Sequence, residues 1–387
     1  MIKFGFRDSL KYPGLFILFI ALRRIVKYVL ENIVAKGMKF SFLVVSLMFI
    51  FEIIIGSLFL CYKRIKFGPS TNSKFLGISL KKKYEILDRP DSNFKIIILI
   101  FFAAYFMNVG AFSRRLLTNE ENNDIYDEFH AKYRSMEIVI SSVLCFFTLK
   151  NKIYKHHSFS LIIISICLII IFLTGIIFQN EKKALIKNIL IIFTSSTCRV
   201  LLDIIEKYLF QYDFIDIYKL IIFEGIMETL LSLLIFFLPK PQKQFKDLFA
   251  LDNKIKLFEI FGLLILYSIF AGFKNVYRRY TVKEFTPMTR ALAESILDPF
   301  FIIYGYFDNK SGKKSGEFFN MAIFITTLSC SIIMIFCSCV YNEVFVLYCF
   351  GLEKKTHLAV SNYNNSNSFL ELSDDSDKNS NSDNFSI

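Results

Sequence analysis

Apolar runs of about 17 to 25 residues alternate with short clusters of charge or turn residues along most of the chain. An α-helix rises 1.5 Å per residue, so about 20 apolar residues cross the roughly 30 Å hydrocarbon core of a bilayer. Ten such runs, near residues 12–34, 40–62, 94–112, 133–149, 159–178, 185–209, 218–238, 257–273, 288–304 and 318–340, predict ten membrane-spanning helices. The second, fifth and tenth are the cleanest; the first, fourth, sixth and ninth carry charge within the span. Pro90, Pro239, Pro241 and the stretch 309–312 fall between runs, where helix breakers belong. Arg23 and Arg24, rather than a small-residue cleavage site, follow the apolar stretch 15–22, so the first run reads as a retained helix and not a signal peptide.

Composition agrees with this pattern. Hydrophobic residues make up 54% of the 387 positions and charged ones only 21%, which excludes both an ordinary soluble enzyme and a disordered chain. Phe alone occurs 46 times; with the abundant Ile, Lys and Asn this suggests an AT-rich source, so the Lys and Asn counts carry little weight. The formal charge is +12. With the N-terminus in the cytoplasm, the cytoplasmic segments of the first half hold most of its Lys and Arg, among them Lys63, Arg64 and Lys81–Lys83. The opposite loops hold only Lys36, Lys39, Arg114, Arg115 and Lys132. Ten helices then return the C-terminus to the cytoplasm. The tail is 346–387, and from 361 onward it is polar and rich in Ser, Asn and Asp. Five acids (Glu371, Asp374, Asp375, Asp377, Asp383) oppose Lys378 there, a composition expected to be disordered. Eight Cys mostly lie inside apolar runs and suggest no disulfide framework, and the four His are too few for a haem or multi-metal membrane enzyme.

The most informative feature is an internal repeat. RIVKYVLEN from Arg24 matches RVLLDIIEK from Arg199, each with Glu seven residues after Arg. EIIIGSLFL from Glu52 matches ETLLSLLIF from Glu228. NVGAFSRR from Asn108 matches NVYRR from Asn275, and YRSMEIVISS from Tyr133 matches TRALAESILD from Thr289. Four matches in the same order predict two five-helix repeats, residues 1–179 and 180–345. An odd number of helices per repeat inverts one half relative to the other, the plan of many transporters, with the substrate site near the midplane between the halves. The expected fold is therefore an all-α membrane protein of about ten transmembrane helices in two inverted five-helix repeats.

Charge inside a bilayer costs roughly 2.5–3.5 kcal/mol per residue on insertion scales, so such residues face a cavity or pair with one another. Arg199, Asp203 and Glu206 share one face of the sixth helix, and Arg24, Lys27 and Glu31 share one face of the first. These stripes describe helices lining a polar cavity; the alternative is that Arg and Glu pair only to lock helices together. Arg134 and Arg290 each precede a carboxylate, Glu137 or Glu294. Arg134 borders a loop and also reads as an interfacial anchor. Thr286-Pro287 predicts a helix start that places Arg290 in the first turn, where the helix dipole would favour an anion. Glu52, Glu224 and Glu228 are carboxylates in the second and seventh helices, read either as proton or cation sites or as neutral hydrogen-bonded groups. Gly225 beside Glu224 predicts close backbone approach. His156 and His157 sit in a basic stretch and read as surface residues rather than metal ligands, and Lys81–Lys83 as a contact to anionic lipid. Asn309-Lys310-Ser311 is a glycosylation sequon that hugs the membrane. The candidate substrate-binding residues are Arg24, Glu31, Arg134, Arg199, Glu206, Glu224, Lys274, Asn275, Arg290 and Glu294.

Walker loops, nucleophile elbows, zincin motifs and dinucleotide fingerprints are absent, which argues against an enzyme or an ATP-driven pump. EKYLFQYDFIDIYKLIIFEG from Glu206, VKEFTPMTRALAES from Val282 and the unit starting RSMEIVISS at Arg134 resemble the drug/metabolite transporter superfamily (EamA-like). The nearest likeness is to the nucleotide-sugar-transporter-like solute carriers of family 35, subfamily F. The resemblance spans most of residues 12–340 and rests on Glu206, Lys207, Glu224, Gly225, Thr289 and Arg290. It implies ten helices in inverted repeats, alternating access and, in many relatives, exchange of nucleotide-sugars for nucleoside monophosphates across Golgi or endoplasmic-reticulum membranes. The chain departs from that pattern in its paucity of Gly and its long acidic loop at 116–132.

These readings converge on a secondary transporter of a small organic solute, first a nucleotide-sugar or related organic anion. Arg24, Arg199, Lys274 and Arg290 would match phosphate, while Glu31, Glu206 and Glu224 would orient helices or couple protons. The rivals are a transporter of an amine or other cationic metabolite, and a membrane scaffold acting through its tail. The partners expected are a small-molecule substrate, the lipid bilayer and, as an oligomer, a homodimer; no nucleic acid, cofactor or metal is called for. The expected location is an endomembrane.

Overall fold

A computed structural model describes residues 11–33, 41–67, 93–118, 133–149, 154–178, 182–211, 215–236, 254–310 and 321–344. These form eleven helices and no strand: α1 Lys11–Ile33, α2 Ser41–Phe67, α3 Asn93–Thr118, α4 Met136–Thr148, α5 Lys155–Phe178, α6 Lys182–Gln211, α7 Ile217–Phe236, α8 Lys254–Glu284, α9 Pro287–Ser295, α10 Asp298–Lys310 and α11 Met321–Tyr341. Every predicted run is helical, with two differences. The eighth helix does not stop at residue 273 but continues to Glu284. The ninth run is two helices, broken at Ile296–Leu297. Pro299 explains the break: it cannot donate to the carbonyl of Ser295, and its ring crowds that carbonyl. The acidic tail, the 119–132 part of the acidic loop, Lys81–Lys83, Pro90, Pro239, Pro241 and Ser311 of the sequon lie outside the described residues, as does the side chain of Glu31.

The distribution of polarity is inverted relative to a water-soluble protein. Glu52, Glu137, Glu206, Glu224, Glu228 and Arg279 are completely buried, while Ile54, Leu58, Phe94, Ile162, Phe223, Leu234 and Ile332 are exposed along the helix flanks. An apolar exterior of this extent is stable only against lipid. Six helices, α2, α3, α5, α6, α8 and α11, contain segments long and apolar enough by themselves to cross a membrane. The chain is an all-α, multi-pass membrane protein. α7 also has 20 residues, but it carries Lys219, Glu224 and Glu228. Its two carboxylates are fully buried and face protein rather than lipid, while Lys219 in its first turn is exposed.

The helices pack in pairs that bear on the site: α1 with α8, α3 with α6, α2 with α7 and α8, α3 with α7, α4 with α6 and α9, α1 with α9, and α5 with α11. Lipid gives little hydrophobic drive for helices to associate, so close packing and polar contacts must hold them. The α2–α7 seam shows both. A Cβ on Gly56 would lie 2.7 Å from Ile221 Cγ2, and one on Gly225 only 2.8 Å from Ile53 Cγ1. Ser46 and Ser232 meet oxygen to oxygen at 3.1 Å across the same seam. Gly272 of α8 lies as tightly over α2, where its Cβ would come within 2.6 Å of Ile55 Cδ1. These seams bring the charged faces of α2, α7 and α8 together, and α6 packs against α8 beside them.

Candidate functional site

Arg279 of α8 is the centre of a first group. Its guanidinium pairs with Glu52 of α2, with Glu206 of α6 at 3.0 Å and with Glu224 of α7 at 2.5 Å, and it stands 3.8 Å from Glu228. The preceding residue, Arg278, bonds Glu206 and reaches Asp203 at 2.6 Å. Asn275, one turn earlier, donates to Glu52 at 2.6 Å. With Asp203 counted in the second group below, four carboxylates share two guanidiniums, a formal excess of negative charge in a buried place. Neither carboxylate oxygen of Glu228 has a hydrogen-bond partner among the described residues.

A second group surrounds Glu294 of α9. Its Oε1 receives Lys274 at 2.9 Å, and its Oε2 receives Arg199 at 3.1 Å and Arg290 at 3.4 Å. Arg290 also binds Glu137 and Asp203, both at 2.5 Å, and Arg199 binds Glu137 at 3.0 Å. Here three cations face three carboxylates. Asp203 bonds both Arg278 and Arg290, so it joins the two groups. Beside them Arg134 pairs with Asp298 at 3.0 Å and donates to the Glu294 carbonyl at 2.8 Å.

Local sequence sets these positions. α9 starts where expected: Thr286 caps it by accepting from the Thr289 N–H at 3.3 Å, and Pro287 opens the first turn. Arg290 then lies one turn in, but it points to carboxylates of α4 and α6 rather than to an open anion site. On α6 the Arg199–Asp203–Glu206 stripe is buried as a unit. Lys207 leaves that stripe and donates to the carbonyls of Lys283 and Phe285, at 2.8 and 2.6 Å, so it fastens the end of α8.

Of the ten residues proposed from sequence, Arg199, Glu206, Glu224, Lys274, Asn275, Arg290 and Glu294 are brought into the two groups, and Arg134 adjoins them. Arg24 holds its guanidinium 4.7 Å above the Phe301 ring and also acts electrostatically on Asp298, the carboxylate partner of Arg134. The sequence-based site set reached Lys274 and Asn275, just past the predicted end of the eighth helix at residue 273, but lacked Arg278 and Arg279. Their only signal was the NVYRR repeat. Glu52, Glu137, Asp203 and Glu228 were visible as intramembrane carboxylates, but their partners were not.

Two contacts relate the repeat motifs in space. Asn275 donates to Glu52, and Asn108 donates to the backbone carbonyl of Glu228 at 3.3 Å. Asn108 and Asn275 are corresponding residues of one motif pair, and Glu52 and Glu228 of another. No family model and no curated protein matches the chain.

Proposed function

We propose that the chain is a secondary transporter of a small organic solute, built as two inverted five-helix halves that rock about a buried charge network. The halves are α1–α5 and α6–α11, with α9 and α10 together counting as one broken helix. Exchanging each helix for its counterpart turns the α1–α8 pair into α6–α3, α2–α8 into α7–α3, and α4–α6 into α9–α1; all six pairs are present. The same exchange leaves α2–α7, α4–α9 and α5–α11 unchanged, and these pack too. The reciprocal Asn275–Glu52 and Asn108–Glu228 contacts obey the same rule. A broken helix at the interface between halves is the usual setting of a transporter site.

The observation that carries the substrate reading is the convergence of Lys274, Arg199 and Arg290 on one carboxylate, Glu294. Three cations around one anion form a cradle that a phosphate or carboxylate of a substrate enters by displacing Glu294, an internal stand-in for it. A nucleotide-sugar or related organic anion, exchanged across an endomembrane, fits that cradle and the family resemblance. In this reading the Arg279 group, with its excess of carboxylates, holds the coupling proton. A second reading has a specific observation in its favour: that same excess suits a cationic metabolite bound at Glu224 and Glu228.

Liposome flux and thermal stabilisation with the full chain separate the two. The panel is nucleotide-sugars, nucleoside monophosphates and amines, tested on wild type, Lys274→Gln and Glu228→Gln. The anion reading expects stabilisation by a nucleotide-sugar and its monophosphate, at least tenfold weaker in Lys274→Gln and intact in Glu228→Gln. Stabilisation by an amine alone, lost in Glu228→Gln, would replace it with the cation reading. Absence of flux and of stabilisation with every compound would remove the transporter proposal.

A further inference from the structure

His156 was expected on the surface, yet it lies in the first turn of α5 and is 2% exposed. Neither of its ring nitrogens has a hydrogen-bond partner among the described residues. A buried imidazole without hydrogen-bond partners is costly, and such nitrogens are candidate metal ligands. Its Nε2 faces Glu343 Oε1 at 3.3 Å, just past the end of α11. His157 is next to it, with the two rings edge to face at 4.1 Å. One ligand atom from each of His156, His157 and Glu343 lies within 4.8 Å of the others.

We propose that these three residues bind a divalent transition-metal ion of the zinc class. Imidazole nitrogen and carboxylate oxygen are the donors such an ion takes, at about 2.0–2.2 Å. Two ligands at that distance on a tetrahedral ion stand about 3.3–3.5 Å apart, which is the His156–Glu343 separation. His157 completes the set by a small movement. Its Nδ1 accepts a hydrogen bond from the Tyr154 N–H at 3.2 Å, and ligation through that atom exchanges this bond for a metal bond. The His157 ring is held against Tyr341 at 4.4 Å, and Tyr341 meets Ser142 of α4 at 3.1 Å. Three protein ligands leave a fourth position for water or another donor. The ion fastens the start of α5 to the end of α11, the closing helices of residues 1–179 and 180–345. The site shares no residue with the charge network, and it stands whether or not the chain transports a solute.

The test is titration of the purified, full-length protein, freed of any histidine tag, with Zn2+ and with Co2+. One equivalent of Zn2+ is expected to bind with micromolar or tighter affinity and to raise the unfolding temperature. Co2+ is expected to give the strong visible absorption of a four-coordinate site with nitrogen and oxygen donors. Glu343 has φ near +55°, a conformation that Gly adopts without strain. Glu343→Gly therefore removes a ligand while keeping the metal-free protein folded, and it is expected to weaken Zn2+ binding at least tenfold. His156→Gln is expected to do the same. Absence of stoichiometric Zn2+ binding to the wild type, or binding equally tight in both variants, would overturn the proposal.

Discussion

The two charge groups are built from the same residue types, a few ångströms apart and joined through Asp203, yet their balance differs. Around Glu294, three cations meet three carboxylates and each cation has a carboxylate partner. Around Arg279, four carboxylates share Arg278 and Arg279, and neither carboxylate oxygen of Glu228 has a hydrogen-bond partner among the described residues. A balanced group holds helices in place and opens only to something that replaces one of its members. An unbalanced one must take up positive charge, because uncompensated carboxylates inside protein and lipid are far too costly. In the proposed transporter, that difference puts recognition of an anion at the first group and uptake of a proton or cation at the second.

The comparison breaks most decisively at Arg279. Arg279→Gln leaves Glu52, Glu206, Glu224 and Glu228 with Arg278 as the remaining cation of the group, and a loss of about 3–5 kcal/mol or outright failure to fold is expected. Size-exclusion chromatography and thermal unfolding in detergent read this out. Arg290→Gln should cost less, since Arg199, Lys274 and Arg278 remain beside its carboxylates. An equal or greater loss there would mean that the groups are not unequal.

One substitution type should have opposite signs in the two places. Glu294→Gln leaves Lys274, Arg199 and Arg290 converging on a neutral amide and should destabilise by about 3 kcal/mol. Glu228→Gln removes a carboxylate from a group that has too many, and it should leave the unfolding temperature unchanged or higher. A destabilised Glu228→Gln would place a charge on Glu228 that the surrounding protein needs.

The smallest effect belongs outside the network. Lys63 at the end of α2 bonds Asp216 just before α7. Burial pushes the Asp216 carboxyl up, but the hydrogen bonds from Lys63 and from the Tyr218 N–H hold it below the ordinary carboxylate range. A depressed folded-state value contributes stability above the unfolded value near 4, and that stability is lost as pH falls through the folded one. The pair is partly exposed, so Asp216→Asn should cost about 0.2–1 kcal/mol at pH 7. The difference from wild type should shrink below pH 4 in parallel thermal scans. A constant difference would mean that Asp216 acts by packing rather than by charge.

The sequence was read best where a residue's role follows from its own segment. The helix start at Thr286-Pro287, the buried stripe on α6 and the close approach at Gly225 were all legible, because spacing and side-chain size act locally. α8 shows where that logic fails. Hydropathy ends the helix at Phe273, since charge belongs outside lipid, but the helix runs on to Glu284 because Lys274, Arg278 and Arg279 have buried partners on other helices. His156 fails in the opposite sense: its basic neighbours suggested a surface, and packing against the end of α11 buried it.

The sequence alone therefore determined an all-helical, multi-pass membrane protein and the segments that form its helices. Those follow from the free energy of moving side chains from water to lipid, which each residue carries with it. Which carboxylate meets which cation, and that one group is balanced while its neighbour is not, only the tertiary structure decided. Ion pairing acts over a few ångströms between helices far apart in the chain, and no property of a single segment encodes it.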